Sequence, residues 1–296
     1  NDALTPPELY SALKNATNNG ARKIDIFDYE ACLMGMAETA YDVREWVNYV
    51  VFFEQISWGI DTYPIYFEDL GAGDTPLAVG EKIVDRYNAG ASAAGYPHTI
   101  SFIDTGRMAA VKQAVTDLGD ALTATGNRDS VNNARDNSQA FAADNDATNS
   151  LLADYIDLWD LADNTASLSG AASTAAAQVK TAVENAVVYE QHTSGWIDGF
   201  LWDHSGVHGL SIYYPASNAS SAFRDYTEPR LFRMSTDESE IPGRWDEFLV
   251  WAVTRSGNGT GDGLGGGDRK GMSAGRFQQP KLGGDKFTYL PLVLRQ

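Results

Sequence analysis

Cys32 is the single cysteine in 296 residues, and it stands in the run Ala31-Cys32-Leu33-Met34-Gly35. Before it, "KIDIFDYE" places Ile24, Ile26 and Asp28 in alternation with Asp25 and Phe27, a short strand reaching about Glu30. After it, Leu33, Met36, Ala40, Val43 and Val47 fall at helical spacing, with Glu38, Asp42 and Glu45 off that face. A thiol at a strand-to-helix corner is placed to act as a nucleophile. The unpaired N–H groups of a first helical turn favour thiolate, and the corner is open to solvent. The competing expectation is an inert core residue, since free cysteine is among the most buried side chains. A nucleophilic thiol also needs a base, and the chain offers His98, His192, His204 and His208. Asp25 and Asp28 flank the strand and are equally suited to local capping or hydrogen bonding.

The elements that must hold this corner read as alternating helices and strands. Residues 6 to 18 begin with two prolines and form a short helix ended by Gly20. "NYVVFFEQ" is a second strand and "SWGIDTYP" a loop, followed by an amphipathic helix over 76 to 89. Strand "TISFID", a helix over 106 to 123 and a polar surface excursion over 125 to 150 come next. "YIDLWDLA" opens a helical stretch continuing through 171 to 186; "GVHGLSIYYP" is a late strand and "PGRWDEFLVWAV" a last helix. Such alternation predicts an α/β fold with a mostly parallel sheet covered on both faces, with reactive groups beyond the carboxyl ends of strands. The expected organisation is one domain over 1–255, a Gly-rich linker over 256–286 and a short apolar segment over 287–296 that adds an edge strand or serves as a terminal signal.

Composition removes several function classes. The net charge is −18, and the residues from Ser256 onward hold three acids and six bases, so the first 255 residues carry −21. Such a body repels phosphate backbones, which argues against nucleic acid and for cationic or basic-peptide ligands. One cysteine excludes an internal disulfide framework, a Cys-rich zinc site and a Cys-x-x-Cys redox pair. No apolar run approaches eighteen residues, so no membrane-spanning helix is expected. "HTSGW" and "HSGVHG" put Ser near His, but without the Gly-x-Ser-x-Gly elbow of serine hydrolases.

The segment "FDYEACLMGMAETAYDV" closely resembles the nucleophile region of the clostripain family of cysteine endopeptidases. Ala31 to Gly35 match that family's pattern, Glu38 and Tyr41 follow on, and "TISFIDTGRM", "YIDLWDLA" and "GLSIYYP" resemble later family segments in the same order. The resemblance covers about residues 1 to 252. It implies a caspase-like α/β/α sandwich, incomplete at its N-terminal side, and a Cys–His dyad working through an acyl-enzyme. Cys32 is then the nucleophile, with its own backbone N–H as oxyanion donor. The family cuts after Arg and in part Lys, using a carboxylate two residues before the cysteine. That position is Glu30 here in place of the usual Asp, and Asp61 in the following loop is a second acid at the pocket rim.

The base is the departure. In caspase-type enzymes it lies about 50 residues before the cysteine, and all four histidines here lie after Cys32. His208 shares the family's His-Gly dipeptide but precedes a structural strand. The resemblance therefore implies a base on an upstream, light-chain segment separated by self-cleavage near Asn1, or lost by truncation, and an inactive isolated chain. The alternative function is a catalytically incompetent caspase-like module that binds basic peptides; an intact Ala-Cys-Leu-Met-Gly argues against it. The chemistry requires no cofactor. Calcium dependence is known in the family, and "DNDATNS" and "DGLGGGD" are oxygen-rich without EF-hand spacing. Resemblance and tail composition together suggest a bacterial secreted or cell-surface protein.

Overall fold

The computed structural model describes residues 6–60, 63–68, 70–143, 152–216, 245–253 and 292–294. Five strands form the central sheet in the order β5-β3-β2-β1-β9, with β1 (Ile24–Asp28), β2 (Val47–Phe52), β3 (His98–Asp104), β5 (Val187–Thr193) and β9 (Leu292–Leu294). β1 and β2 are parallel, whereas β2–β3, β3–β5 and β1–β9 are antiparallel. The sheet is thus mixed around one parallel pair instead of mostly parallel. Strands buried on both faces read as the same apolar runs whichever way they point, so direction leaves little trace in sequence.

Alternation along the strands supplies both cores. Phe27, Val50, Phe52 and Ile103 face one layer, built on α1 (Pro6–Ala16), α2 (Ala37–Val43), α5 (Met108–Ala124) and α8 (Gly170–Ala186). Ile26, Val51, Ile100 and Phe102 face the other, with α3 (Tyr63–Phe67) and α4 (Pro76–Ala93). This is the expected α/β/α sandwich. Thr75 caps α4 by accepting from the Ala78 N–H at 3.2 Å, and Pro76 fills the first helical position.

The polar stretch after Gly126 is more ordered than its composition suggests. Asn127 caps α6 (Arg128–Asp136), which packs against α7 (Leu158–Thr165). "YIDLWDLA" divides into a three-residue strand, β4 (Tyr155–Asp157), and α7, and β4 pairs with β8 (Ser211–Tyr213). "GVHGLSIYYP" contributes only those three residues of strand. α9 (Trp245–Val253) closes the first core against α5. The Gly-rich linker lies outside the described residues, while Leu292–Leu294 supplies the edge strand beyond β1. Among the described residues no helix is long and apolar enough to cross a membrane.

Candidate active site

The chain leaves β1 at Asp28 and reaches α2 only at Ala37, so Cys32 sits in a turn between them. Main-chain bonds anchor that turn to the end of β2. Tyr29 N–H donates to Val51 O at 2.9 Å, Leu33 N–H to Gln55 O at 2.9 Å, and Gly35 N–H to Phe53 O at 2.8 Å. On its far side, Gly35 O accepts from both the Ser211 N–H and the Ser211 hydroxyl, at 2.8 and 2.9 Å. A Cβ at Gly35 would stand 2.6 Å from Glu54 N and 2.7 Å from Phe53 C, a separation side chains do not tolerate. Leu33 is held at φ 61°, left-handed for a residue with a Cβ. That conformation costs about 1–2 kcal/mol and persists only because its neighbours enforce it.

The expected source of thiolate stabilisation is corrected by this geometry. α2 begins five residues after Cys32 and is seven residues long, so its N-terminus does not act on the sulfur. Cys32 is half-buried, and burial pushes its thiol above the usual value; the backbone N–H groups of Ser57 and of Cys32 itself pull the other way without prevailing. The resting side chain is therefore a thiol, and attack requires that a base remove its proton.

Glu30 lies on the same side of the chain as Asp28, two residues back, facing α3 and α4. Its Oε1 accepts a hydrogen bond from the Tyr66 hydroxyl at 3.1 Å. Burial raises its carboxyl, with the Tyr66 and Asp28 contacts opposing. Asp28, expected to cap or to bond locally, caps no helix, and its local side-chain contact is with Glu30. It is 1% exposed, and among the described residues no backbone N–H or cation donates to its oxygens, whereas Asp25 accepts from the Asn48 amide at 3.2 Å. Burial, then the charge of Glu30, holds the Asp28 carboxyl well above the usual carboxylate range. Asp61 lies outside the described residues. Trp58 is buried, donating its indole N–H to Pro97 O and stacking on Tyr96 at 4.7 Å, so it packs.

Each histidine is engaged away from the sulfur. His98 bonds to Tyr96 O and Asn88 Oδ1, both at 2.9 Å, and His204 to Thr193 O at 3.0 Å, where burial depresses its pKa to about 4. His192 contacts Glu190 at 2.9 Å. His208 stacks on Trp159 at 4.1 Å, bonds to Gly206 O at 2.9 Å and lies 3.3 Å from Asp157. Burial disfavours the His208 cation, yet Asp157 prevails and its pKa is raised. Among the described residues none of the four is a hydrogen-bond partner of Cys32. Both loops suggested for calcium also lie outside the described residues, which contain no group of three or more His, Cys, Asp or Glu arranged to hold a metal ion.

Sequence reading missed two neighbours of the turn. Tyr66 is 36 residues from Glu30, and no local pattern links them. The hairpin β6 (Gly195–Ile197) and β7 (Phe200–Trp202) brings Ile197 and Trp202 into one apolar cluster with Leu33 and Ile56. Its signal was present: Asp198-Gly199, both at positive φ, is the residue pair that a two-residue hairpin turn favours.

An α/β/α sandwich that carries its single cysteine in a main-chain-anchored turn after β1 fits the class of cysteine peptidases. The family model described as "Clostripain family" matches residues 1–249, and the chain belongs to that family. No curated protein sequence matches the chain. It is similar in structure to a cysteine protease of B. fragilis, at 16% identity and TM-score 0.56, covering 86% of this chain and 96% of that one. A secreted C11 cysteine protease from Bacteroides thetaiotaomicron, bound to an irreversible peptide inhibitor, is 19% identical at TM-score 0.56 over 84% of this chain and 64% of that one. A clostripain from the same organism, in complex with the peptide inhibitor BTN-VLTK-AOMK, is 13% identical at TM-score 0.57 over 78% of this chain and 93% of that one.

Proposed function

We propose that this cysteine peptidase cleaves peptide bonds after basic residues, with Cys32 as nucleophile, Glu30 as the acid that receives the substrate cation, and a histidine from a segment outside these residues as base. The base takes the Cys32 proton and Sγ adds to the scissile carbonyl. Collapse breaks the C–N bond, and the amine leaves with the proton that the base returns. Water, deprotonated by the same base, then releases the acid and restores the thiol. The Cys32 N–H is the oxyanion donor in this reading, and Asp61 a second acid at the rim.

The observation that carries the specificity is Glu30, half-buried, two residues before the nucleophile and oriented by Tyr66. A carboxylate so placed can take a guanidinium through two parallel hydrogen bonds. The inhibitor in the B. thetaiotaomicron clostripain carries a peptide ending in lysine, which agrees in charge. The external base is supported by the engagement of all four histidines elsewhere. A secreted neighbour favours an exported bacterial protein, and calcium binding by the oxygen-rich loops is a further element of the reading.

The test is labelling by acyloxymethyl ketones of Arg, Lys and Leu peptides. Arg and Lys reagents are expected to modify Cys32 in preference to Leu, and Cys32→Ala to abolish labelling and to lower any turnover by roughly 10⁴-fold or more. Equal labelling by the Leu reagent overturns the specificity. Full hydrolysis by the isolated chain overturns the external base.

A further inference from the structure

We propose that Asp28 is a second acid of the specificity site, lying beneath Glu30, and that the two carboxyl groups jointly receive a lysine or arginine side chain, giving up on binding the proton they otherwise share. The proposal rests on the reading of Glu30 as the substrate-binding acid and extends it to a residue that the resemblance does not assign.

Asp28 is the last residue of β1, and its side chain enters the layer that holds Tyr66 and Tyr87. It is 1% exposed, and among the described residues neither a backbone N–H nor a cation donates to its oxygens. A lone buried carboxylate is among the most costly groups a fold can carry. A position serving only packing gains nothing from an acid here. Among the described residues the acid interacting with it is Glu30, and two ionised carboxylates have no hydrogen to place between them. The contact becomes a hydrogen bond only when one of the two is protonated. The other titratable groups around the pair are Tyr66 from α3, which donates to Glu30, Tyr87 from α4, which accepts from the Trp58 N–H, and the Cys32 thiol. None is a cation, so within the described surroundings nothing neutralises the pair until a ligand brings positive charge.

The empty pair holds one proton between Asp28 and Glu30. A cationic side chain docks on Glu30, both carboxyls ionise against it, and the proton leaves to solvent. Asp28, closed to solvent, acts through Glu30 as a positioning residue: it adds a second negative charge behind the one that makes contact. Basic-peptide binding therefore strengthens as pH rises through the titration of the pair, and it releases protons.

Calorimetric titration of the intact chain with acetyl-Leu-Thr-Arg-amide, its Lys counterpart and its norleucine counterpart tests this. Each is run between pH 5.5 and 8 in two buffers of different ionisation enthalpy. The wild type is expected to prefer the basic peptides and to release up to one proton per peptide bound. Asp28→Asn is expected to bind them about tenfold more weakly, without proton release and with a flattened pH profile, while norleucine binding is unchanged. Proton release and affinity intact in Asp28→Asn, alongside lost preference in Glu30→Gln, overturns the role of Asp28 and leaves the basic pocket standing. Preference intact in Glu30→Gln, or absent from the wild type, overturns the reading of Glu30 itself. Should Asp28→Asn fail to fold, absence of wild-type proton release alone sinks the proposal.

Discussion

Asp28 and Asp157 are both fully buried aspartates at strand ends, and the molecule treats them in opposite ways. Asp157 ends β4 and starts α7. Its Oδ1 accepts from the Asp160 N–H at 2.8 Å as the helix cap, its Oδ2 accepts from the His208 N–H at 2.6 Å, and the His208 ring adds a cation when protonated. Among the described residues Asp28 has no backbone or cationic donor, and its side chain meets only a second acid, Glu30. Glu38 stands between them: one oxygen accepts from the Tyr213 N–H at 3.2 Å and the other has no partner. Burial raises the pKa of all three, so burial alone does not separate them. The supply of donors does. A buried acid that the surrounding backbone is built to satisfy ties elements together, whereas one left without donors is held ready for something that arrives later.

The largest effect expected from breaking this contrast is at Asp157. Asp157→Ala removes the α7 cap and leaves the part-buried His208 N–H without its acceptor, for a loss of about 3 kcal/mol in chemical denaturation. A loss below roughly 1 kcal/mol would erase the distinction. Glu38→Gln runs the other way. The Glu38 carboxyl is raised from 4.5 to about 7, so the wild type loses stability as pH climbs through that interval and regains it as pH falls. Glutamine keeps an acceptor for Tyr213 without the charge. Its gain is expected to be about 2 kcal/mol at pH 8 and to vanish near pH 4, read as melting temperature against pH.

Asp28→Asn should sharpen the comparison at smaller scale. The new amide can donate to Glu30, and the folded state no longer carries a carboxyl whose titration is suppressed. A gain of about 1 kcal/mol is expected at pH 8, falling to nothing below the unfolded pKa of aspartate near 4. Destabilisation at both pH values would place Asp28 with Asp157 among the structural acids. The smallest effect belongs to Trp196, which is 69% exposed on the β6–β7 hairpin. Trp196→Ser should change stability by no more than about 0.5 kcal/mol.

Much of the central frame was legible. β1, β2 and β3 announce themselves as apolar runs, α4 carries its own cap and proline, and the letters around Cys32 point to the family directly. What escaped depends on partners distant in the chain. β5, "VVYEQHT", is half-exposed along its length and mixes polar with apolar residues, so its strand character comes from pairing with β3. The apolar spacing after Cys32 suggested a helix starting at once. The main-chain bonds from Leu33 and Gly35 to the end of β2 claim those residues first, and α2 waits until Ala37. Asp28 was visible as an acid in a strand, but its lack of donors is a property of the folded surroundings.

The fit at Gly35 bears on how the enzyme could be inhibited. Because the backbone of Phe53 and Glu54 occupies the space a methyl group would need there, the turn bearing the sulfur has no free room on that side into which to shift. Chemical warheads that depend on displacing it will gain nothing from added size at the reactive end. Selectivity is then to be sought away from the reactive end, which the proposed role of Glu30 would place in a basic group.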